Sequence, residues 1–174
     1  GGRWPSLAWR VGPRKLYLQA GENKMPSPFQ TRNIAHLTAN YTTVKAVTAS
    51  VALTSADTGQ LIALDTSAGA VTLTLPAAEA GLRHTAQIWK TAADCDLIIL
   101  APAAANFIKG GVFWSDNNDA NQTTSFVASN GTSNIKATFD DPEVGTRIEL
   151  VCDGTNWHLS GVVIDETSPA FADS

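Results

Sequence analysis

The sequence predicts an all-β protein: an antiparallel β-sandwich or jelly-roll-like domain with an extended N-terminal arm. Short apolar segments alternate with polar residues at a period of two, which is typical of half-buried strands. Gly-, Asn- and Asp-rich breaks separate these segments at short intervals, as in sandwiches and barrels. Charged residues make up only 16% of the chain. A surface covered by small polar side chains suits strands better than exposed helices.

The chain divides into an arm and connector (residues 1–43), a β-domain (44–165) and a C-terminal tail (166–174). Residues 1–24 hold five basic groups and one acid, a net charge of +4, whereas residues 25–174 hold seven basic and fifteen acidic groups, a net charge of −8. Two explanations of residues 1–24 stay open. They form an arm that lies across a partner, or they are a non-native translated leader and Met25 is the native start.

The alternation of apolar and polar residues, together with the turn residues, predicts eleven strands in the domain. The first two begin near Val44 and near Val51. The other nine are Gln60–Asp65, Ala70–Leu75, Leu82–Lys90, Asp96–Ala101, Asn106–Trp114, Thr124–Ala128, Asn134–Phe139, Thr146–Cys152 and Asn156–Ile164. We expect a hairpin through Thr66–Gly69, a helical turn at Ala77–Gly81 and a final hairpin across Asp153 and Gly154.

The sequence offers no recognisable catalytic apparatus, so we expect the protein not to be an enzyme. There is no GxSxG motif, and none of His36, His84 and His158 lies in a catalytic context. The acidic pair Asp140 and Asp141 flanks a strand, where turn carboxylates are common. An acid and base for glycoside hydrolysis cannot be assigned from such a pair without geometry.

We also expect no metal and no cofactor. The loop Asp116–Gln122 is rich in oxygen ligands but lacks the glycine and glutamate of a calcium loop, so an ordinary polar loop is favoured. Cys95 and Cys152 lack metal-binding spacing. Two buried free thiols are favoured, and a disulfide between neighbouring strands is the alternative.

Charge and hydropathy also limit the partners. A domain with a net charge of −8 repels phosphate backbones, so we expect no nucleic-acid partner. No apolar run approaches the roughly 20 residues that span a bilayer, so we expect no membrane partner. For Trp89, Trp114 and Trp157, core or subunit contacts are favoured over a sugar-stacking platform.

Three segments together resemble the small β-domain of tailed-bacteriophage virion proteins, found in capsid decoration (cement) proteins and tail-fibre modules. They are Leu53–Gly59 (LTSADTG), Val71–Gly81 (VTLTLPAAEAG) and Ile148–Trp157 (IELVCDGTNW). The similarity covers about residues 45–165 and implies structural roles only. The positions that would set turns and packing are Gly59, Pro76, Gly81, Asp153, Gly154 and Trp157.

The resemblance implies a structural virion protein, made in the host cytoplasm, that decorates the outer surface of a phage capsid. Its partners would be the major capsid protein and neighbouring copies of itself in a homo-oligomer. The arm would supply the contacts to the capsid, through Trp4, Trp9, Arg10, Arg14, Lys15 and Tyr17. The alternative is a tail-fibre or receptor- or glycan-binding module, and an enzyme such as a depolymerase is least favoured.

Overall fold

The computed structural model describes residues 43–93, 95–117 and 123–173. Within them the protein is an all-β sandwich, as the sequence predicts. The elements are β1 (Val44–Val47), β2 (Val51–Ala52), a 3₁₀ turn (Ser55–Asp57), β3 (Leu61–Asp65), β4 (Val71–Thr74), β5 (Arg83–Lys90), β6 (Leu97–Leu100), β7 (Ile108–Ser115), β8 (Thr124–Ala128), β9 (Lys136–Phe139), β10 (Arg147–Cys152), β11 (Trp157–Ile164) and β12 (Ala170–Ala172). No helix of the described residues is long and apolar enough to cross a membrane.

The strands form two sheets. One has the order β1-β3-β5-β10-β11-β7-β8 and the other the order β12-β9-β6-β4-β2. The sequence predicted antiparallel sheets, but both sheets are mixed: half of the strand pairs are parallel and half antiparallel. Alternation reports which face of a strand is buried, and it carries no information about the direction of the neighbouring strand.

Four of the five parallel pairs arise from the way the first half of the domain is wound; the fifth joins β7 and β11. Consecutive strands from β1 to β6 alternate between the two sheets. Each strand therefore pairs in parallel with the strand two positions later, β1 with β3, β3 with β5, β2 with β4 and β4 with β6. We call Val44–Leu100 the wound segment. Two strands of one sheet run parallel here because a full turn of chain, including a strand of the other sheet, separates them.

One hydrophobic core lies between the sheets. It includes Ile62, Ile88 and Trp157 from the seven-stranded sheet and Leu73 and Phe139 from the five-stranded sheet, all fully buried. Along most strands buried residues alternate with more exposed ones, as in Val71–Thr74 of β4. The period-two pattern of the sequence is therefore the pattern of inward-facing side chains.

Two local predictions are wrong. The expected hairpin through Thr66–Gly69 does not form, because β3 and β4 lie in different sheets and the connection crosses between them. The expected helical turn at Ala77–Gly81 is also not formed; the segment is irregular and ends in a turn in which Leu82 N donates to Glu79 O. Gly81 N, which would close a helical turn by donating to Ala77 O, donates instead to Cys152 O of the last hairpin at 3.0 Å.

The final hairpin is confirmed. β10 and β11 pair in antiparallel register from Arg147 with Val162 to Cys152 with Trp157, and the turn across Asp153 and Gly154 joins them. The segment assigned to a C-terminal tail holds one more strand, because β12 pairs with β9 at the edge of the five-stranded sheet. The side chain of Asp173 fixes this end by accepting hydrogen bonds from Ser133 Oγ and Asn134 Nδ2, both at 2.8 Å.

Candidate functional site

Three loops meet at one end of the sandwich, and they overlap the three segments that resemble virion β-domains. We call them the turn cluster, defined as Leu53–Gly59, Leu75–Leu82 and Cys152–Trp157. The second and third loops exchange backbone hydrogen bonds: Gly81 N donates to Cys152 O (3.0 Å) and Cys152 N donates to Leu82 O (2.9 Å). Segments far apart in sequence therefore form one structural unit.

The first loop joins the others through the ends of β4 and β5. Leu53 N donates to Thr74 O at 2.8 Å, and Gly59 N donates to Arg83 O at 2.8 Å. Gly59 and Gly81 both have positive φ, 76° and 92°. Pro76 follows Leu75, which is the last residue bonded to β6, through Leu75 N and Leu100 O.

Gly154 lies where the third loop touches the second. Its φ is 100°, a conformation that L-residues with a side chain rarely adopt, and a Cβ at this position would stand 3.4 Å from the Cβ of Ala80. The backbone conformation favours glycine here, and Ala80 is a neighbour at ordinary van der Waals distance. The contact fixes the final hairpin turn against the loop that precedes β5.

Asp57 ties the first loop to β1. Its carboxylate is nearly buried and accepts hydrogen bonds from Lys45 Nζ (2.8 Å), Thr54 N (2.8 Å) and Thr54 Oγ1 (2.9 Å). The hydrogen bond from Lys45 lowers the pKa of Asp57 to about 2, in spite of burial. A carboxylate with this set of partners stays ionised and fixes the turn.

Asp153 closes the last turn from its outer side. One carboxylate oxygen accepts the amides of Thr155 (2.8 Å) and Asn156 (2.7 Å), and the other lies 2.9 Å from His158 Nε2. The amide of Asn156 and then the His158 ring lower the pKa of Asp153. The side chains of Asp153 and His158 are about half exposed, so this pair fixes a surface turn and the position of one imidazole.

A second histidine lies inside the same end of the sandwich. His84 is fully buried on β5, and its ring is 5.6 Å from that of Trp157. The indole Nε1 of Trp157 has no hydrogen-bond partner among the described residues. Burial lowers the pKa of His84, so the ring is neutral at pH 7 and serves as a packed aromatic group.

The three tryptophans of the domain do not form one platform. Trp157 is in the core, and Trp114 is half-buried with its Nε1 bonded to Asp165 O at 2.8 Å. Trp89 is 52% exposed. It borders an apolar groove of about 290 Å³ on the seven-stranded sheet, beside Val44, Ala46 and Ala63. The core position that the sequence favoured for the tryptophans is therefore found for Trp157.

Acidic residues converge at the other end of β11. Asp165 is fully buried, and its Oδ1 accepts the amide of Thr167 at 2.8 Å. Burial, together with the nearby charges of Asp140 and Asp141, raises the pKa of Asp165 to about 7. The sequence alone singles out the pair Asp140 and Asp141. It misses Asp165, because in sequence this residue looks like an ordinary turn residue after a strand.

No group of three or more His, Cys, Asp or Glu residues in the described ranges could hold a metal ion. Cys95 and Cys152 are both buried and free, which confirms the interpretation favoured from sequence. The predicted capsid-binding residues Trp4, Trp9, Arg10, Arg14, Lys15 and Tyr17 lie outside the described residues. Most of the loop Asp116–Gln122 does too.

The fold and these sites define a class, a two-sheet β-sandwich with a turn cluster at one end. No protein-family model matches the chain, and neither a curated protein nor a solved structure is found similar to it.

Proposed function

We propose that this chain is a structural protein of a tailed-bacteriophage virion that decorates the outer surface of the capsid. One observation carries the proposal. The three segments that resemble virion β-domains are separated in sequence, and they meet in the turn cluster through direct hydrogen bonds. Residues in these loops, such as Asp57 and Gly154, have turn-forming and packing contacts, which agrees with the structural roles that the resemblance implies.

Charge supports docking through the arm. Residues 1–24 carry a net charge of +4 and residues 25–174 a net charge of −8. A basic segment with Trp4, Trp9 and Tyr17 as apolar anchors suits an acidic shell formed by the major capsid protein, and the acidic domain then faces outward. Weak individual contacts gain avidity when a decoration protein is held as a homo-oligomer over repeated capsid sites.

The copy number in purified particles tests this role. Quantitative mass spectrometry should give on the order of hundreds of copies per particle, because decoration sites repeat over the shell. A few copies would instead assign the chain to a tail structure, and its absence from particles would refute a virion role.

The arm is tested by binding to undecorated capsids. Replacing Arg10, Arg14 and Lys15 by Gln removes three positive charges and should weaken binding, most strongly at low salt. A matched replacement of Lys109, Lys136 and Arg147 by Gln removes the same charge from the domain and should leave binding near that of the unaltered protein. Equal effects of the two triple variants would contradict docking through the arm.

A second candidate is a tail-fibre or receptor- or glycan-binding module. The observation that favours it is the exposed indole of Trp89 beside the apolar groove, since aromatic faces stack on sugar rings. A glycan array separates the two functions. Binding that Trp89→Ala abolishes would favour the module, and no binding across the array would favour decoration.

A further inference from the structure

The open edge of the seven-stranded sheet is the most exposed apolar feature of the described residues. Phe126 of β8, Phe113 of β7 and Val162 of β11 lie in one row across three neighbouring strands, and they are 56%, 59% and 51% exposed. The two phenylalanine rings contact edge-to-face, with centroids 5.3 Å apart. We call these three residues the apolar row.

The hydrogen-bond phase of β8 shows which backbone groups face outward. Asp116 N donates to Thr123 O, and Ser129 N donates to Gly110 O, at the two ends of the β7–β8 pairing. Hydrogen-bonded and non-hydrogen-bonded pairs alternate along an antiparallel ladder. Ser125 and Val127 therefore bond to β7.

The backbone N–H and C=O groups of Thr124, Phe126 and Ala128 then point toward the open edge. No further strand of the described chain covers this edge, since β8 is the last strand of its sheet.

We propose that β8 pairs in antiparallel fashion with β8 of a second copy of this chain, with Phe126 on the two-fold axis. This register matches the outward-facing groups of both copies. Phe126 exchanges reciprocal N–H···O=C bonds with Phe126 of the second copy, and Thr124 does so with Ala128 on either side. The two apolar rows then join into one continuous row across the dimer.

Charge and sequence agree with a second copy as the occupant. β8 reads TSFVA, so no like charges meet at the axis even though the chain carries a net charge of −4. Sheet edges that must stay unpaired usually carry Lys, Pro or a bulge, and β8 has no Lys or Pro and a continuous register with β7. A two-fold axis brings identical surfaces together, which the palindromic hydrogen-bond pattern of this edge allows.

The exposed area of the apolar row indicates how strongly two copies would associate. A phenylalanine side chain buries ~150–250 Å² when fully covered, so the apolar row exposes on the order of 300 Å² per copy. A stable interface of standard size buries about 800 Å² per partner. We therefore expect a dimer with micromolar or weaker affinity, which a high local concentration strengthens. The contact is a property of the chain alone, so its failure would leave the capsid proposal intact.

Sedimentation equilibrium of the full chain over a concentration series tests the proposal. Phe126→Lys places two ammonium groups face to face at the axis and should abolish the dimer. Val144→Lys is the matched control, because it adds the same charge at another exposed apolar residue (54%) outside the apolar row. Circular dichroism checks that both variants stay folded. A monomer at every concentration, or a dimer that Phe126→Lys leaves unchanged, would overturn the proposal.

Engineered cysteines test the register without removing Phe126. Hydrogen-bonded antiparallel pairs have Cα atoms about 5.5 Å apart, a separation that a disulfide can span. A mixture of Thr124→Cys and Ala128→Cys proteins should form a disulfide-linked heterodimer on mild oxidation, whereas Thr124→Cys alone should not. Cys95 and Cys152 are buried and do not compete. Equal cross-linking of Thr124→Cys with itself would contradict the register.

Discussion

His84 and Asp165 are fully buried ionisable residues, and each affects stability in its own pH range. The pKa of His84 is lowered in the folded chain. Below pH 6.5 the unfolded chain therefore binds a proton more readily than the folded chain does, so the stability of the fold decreases as pH falls. The pKa of Asp165 is raised from 3.8 to about 7. The folded chain keeps a proton that the unfolded chain releases, so stability falls as pH rises through this range. The two effects oppose each other in mildly acidic solution.

Asp165→Asn should remove the second effect. The amide keeps the acceptor for Thr167 N and carries no charge beside Asp140 and Asp141. Relative to its effect at pH 4, we expect the substitution to raise the free energy of unfolding at pH 8 by up to about 4 kcal/mol, since one unit of pKa shift corresponds to about 1.4 kcal/mol. Urea unfolding midpoints at the two pH values measure this difference.

Glu149→Gln is the control for this measurement. Glu149 is partly exposed and pairs with Arg147 on the surface, where an ion pair contributes little to stability. Its pH profile should follow that of the unaltered protein. If Asp165→Asn shows that same profile, the folded protein does not hold a proton on Asp165 near neutral pH.

The sequence alone predicts the burial of some of these ionisable residues but not of all of them. His84 has the same alternation phase as Ala86 and Ile88, both of which face the core, so its burial could be predicted. Asp153 and Asp165 each follow an apolar strand and are alike in sequence. One is exposed in a surface turn and the other is buried beside Asp140 and Asp141, a difference set by residues distant in the chain.

Among the elements, the two predicted hairpins show what local sequence can determine. The connection between β10 and β11 holds Asp153, whose carboxylate accepts the amides of Thr155 and Asn156 and so closes a tight turn within its own loop. The connection between β3 and β4 also forms a turn, with Gly69 N bonded to Thr66 O. That turn leads into the other sheet. Turn residues predict that the chain bends, but the packing of later strands decides which sheet it joins.

The turn cluster makes a prediction for Gly154. Gly154→Ala places a side chain on a backbone with a φ of 100°, and its Cβ would lie at ordinary van der Waals distance (3.4 Å) from that of Ala80. Gly81→Ala does so at a φ of 92° with no neighbour within 4 Å. We expect both variants to cost about 1–2 kcal/mol from backbone strain. Chemical denaturation measures the two losses, and a loss at Gly154 that is larger by about 1 kcal/mol or more would mean that Ala80 also resists the new Cβ.

For the whole molecule, the sequence predicted the strands and their buried faces but not the winding. Val71 and Leu73 face the core whether β4 pairs with β3 or with β2 and β6, so the same alternation is compatible with a hairpin and with a layer-crossing turn. The winding depends on pairings between strands separated by a full turn of the chain. Local residue patterns do not encode such pairings.

We expect the winding to make the two sheets one cooperative unit. Each connection in the wound segment crosses between the sheets, and both sheets share a single core. Leu73→Ala, a substitution of a fully buried residue on β4 of the five-stranded sheet, should cost about 2–5 kcal/mol. We expect the slowest-exchanging amides of β10 and β11, in the other sheet, to lose protection by the same free energy as those of β6. Hydrogen exchange measured by mass spectrometry follows the amides of both sheets in one sample.

Thr72→Ala, on the outer face of the same strand, is the control and should change the protection of either sheet by less than about 1 kcal/mol. Loss of protection confined to the five-stranded sheet would show that the sheets unfold separately in spite of the crossing connections.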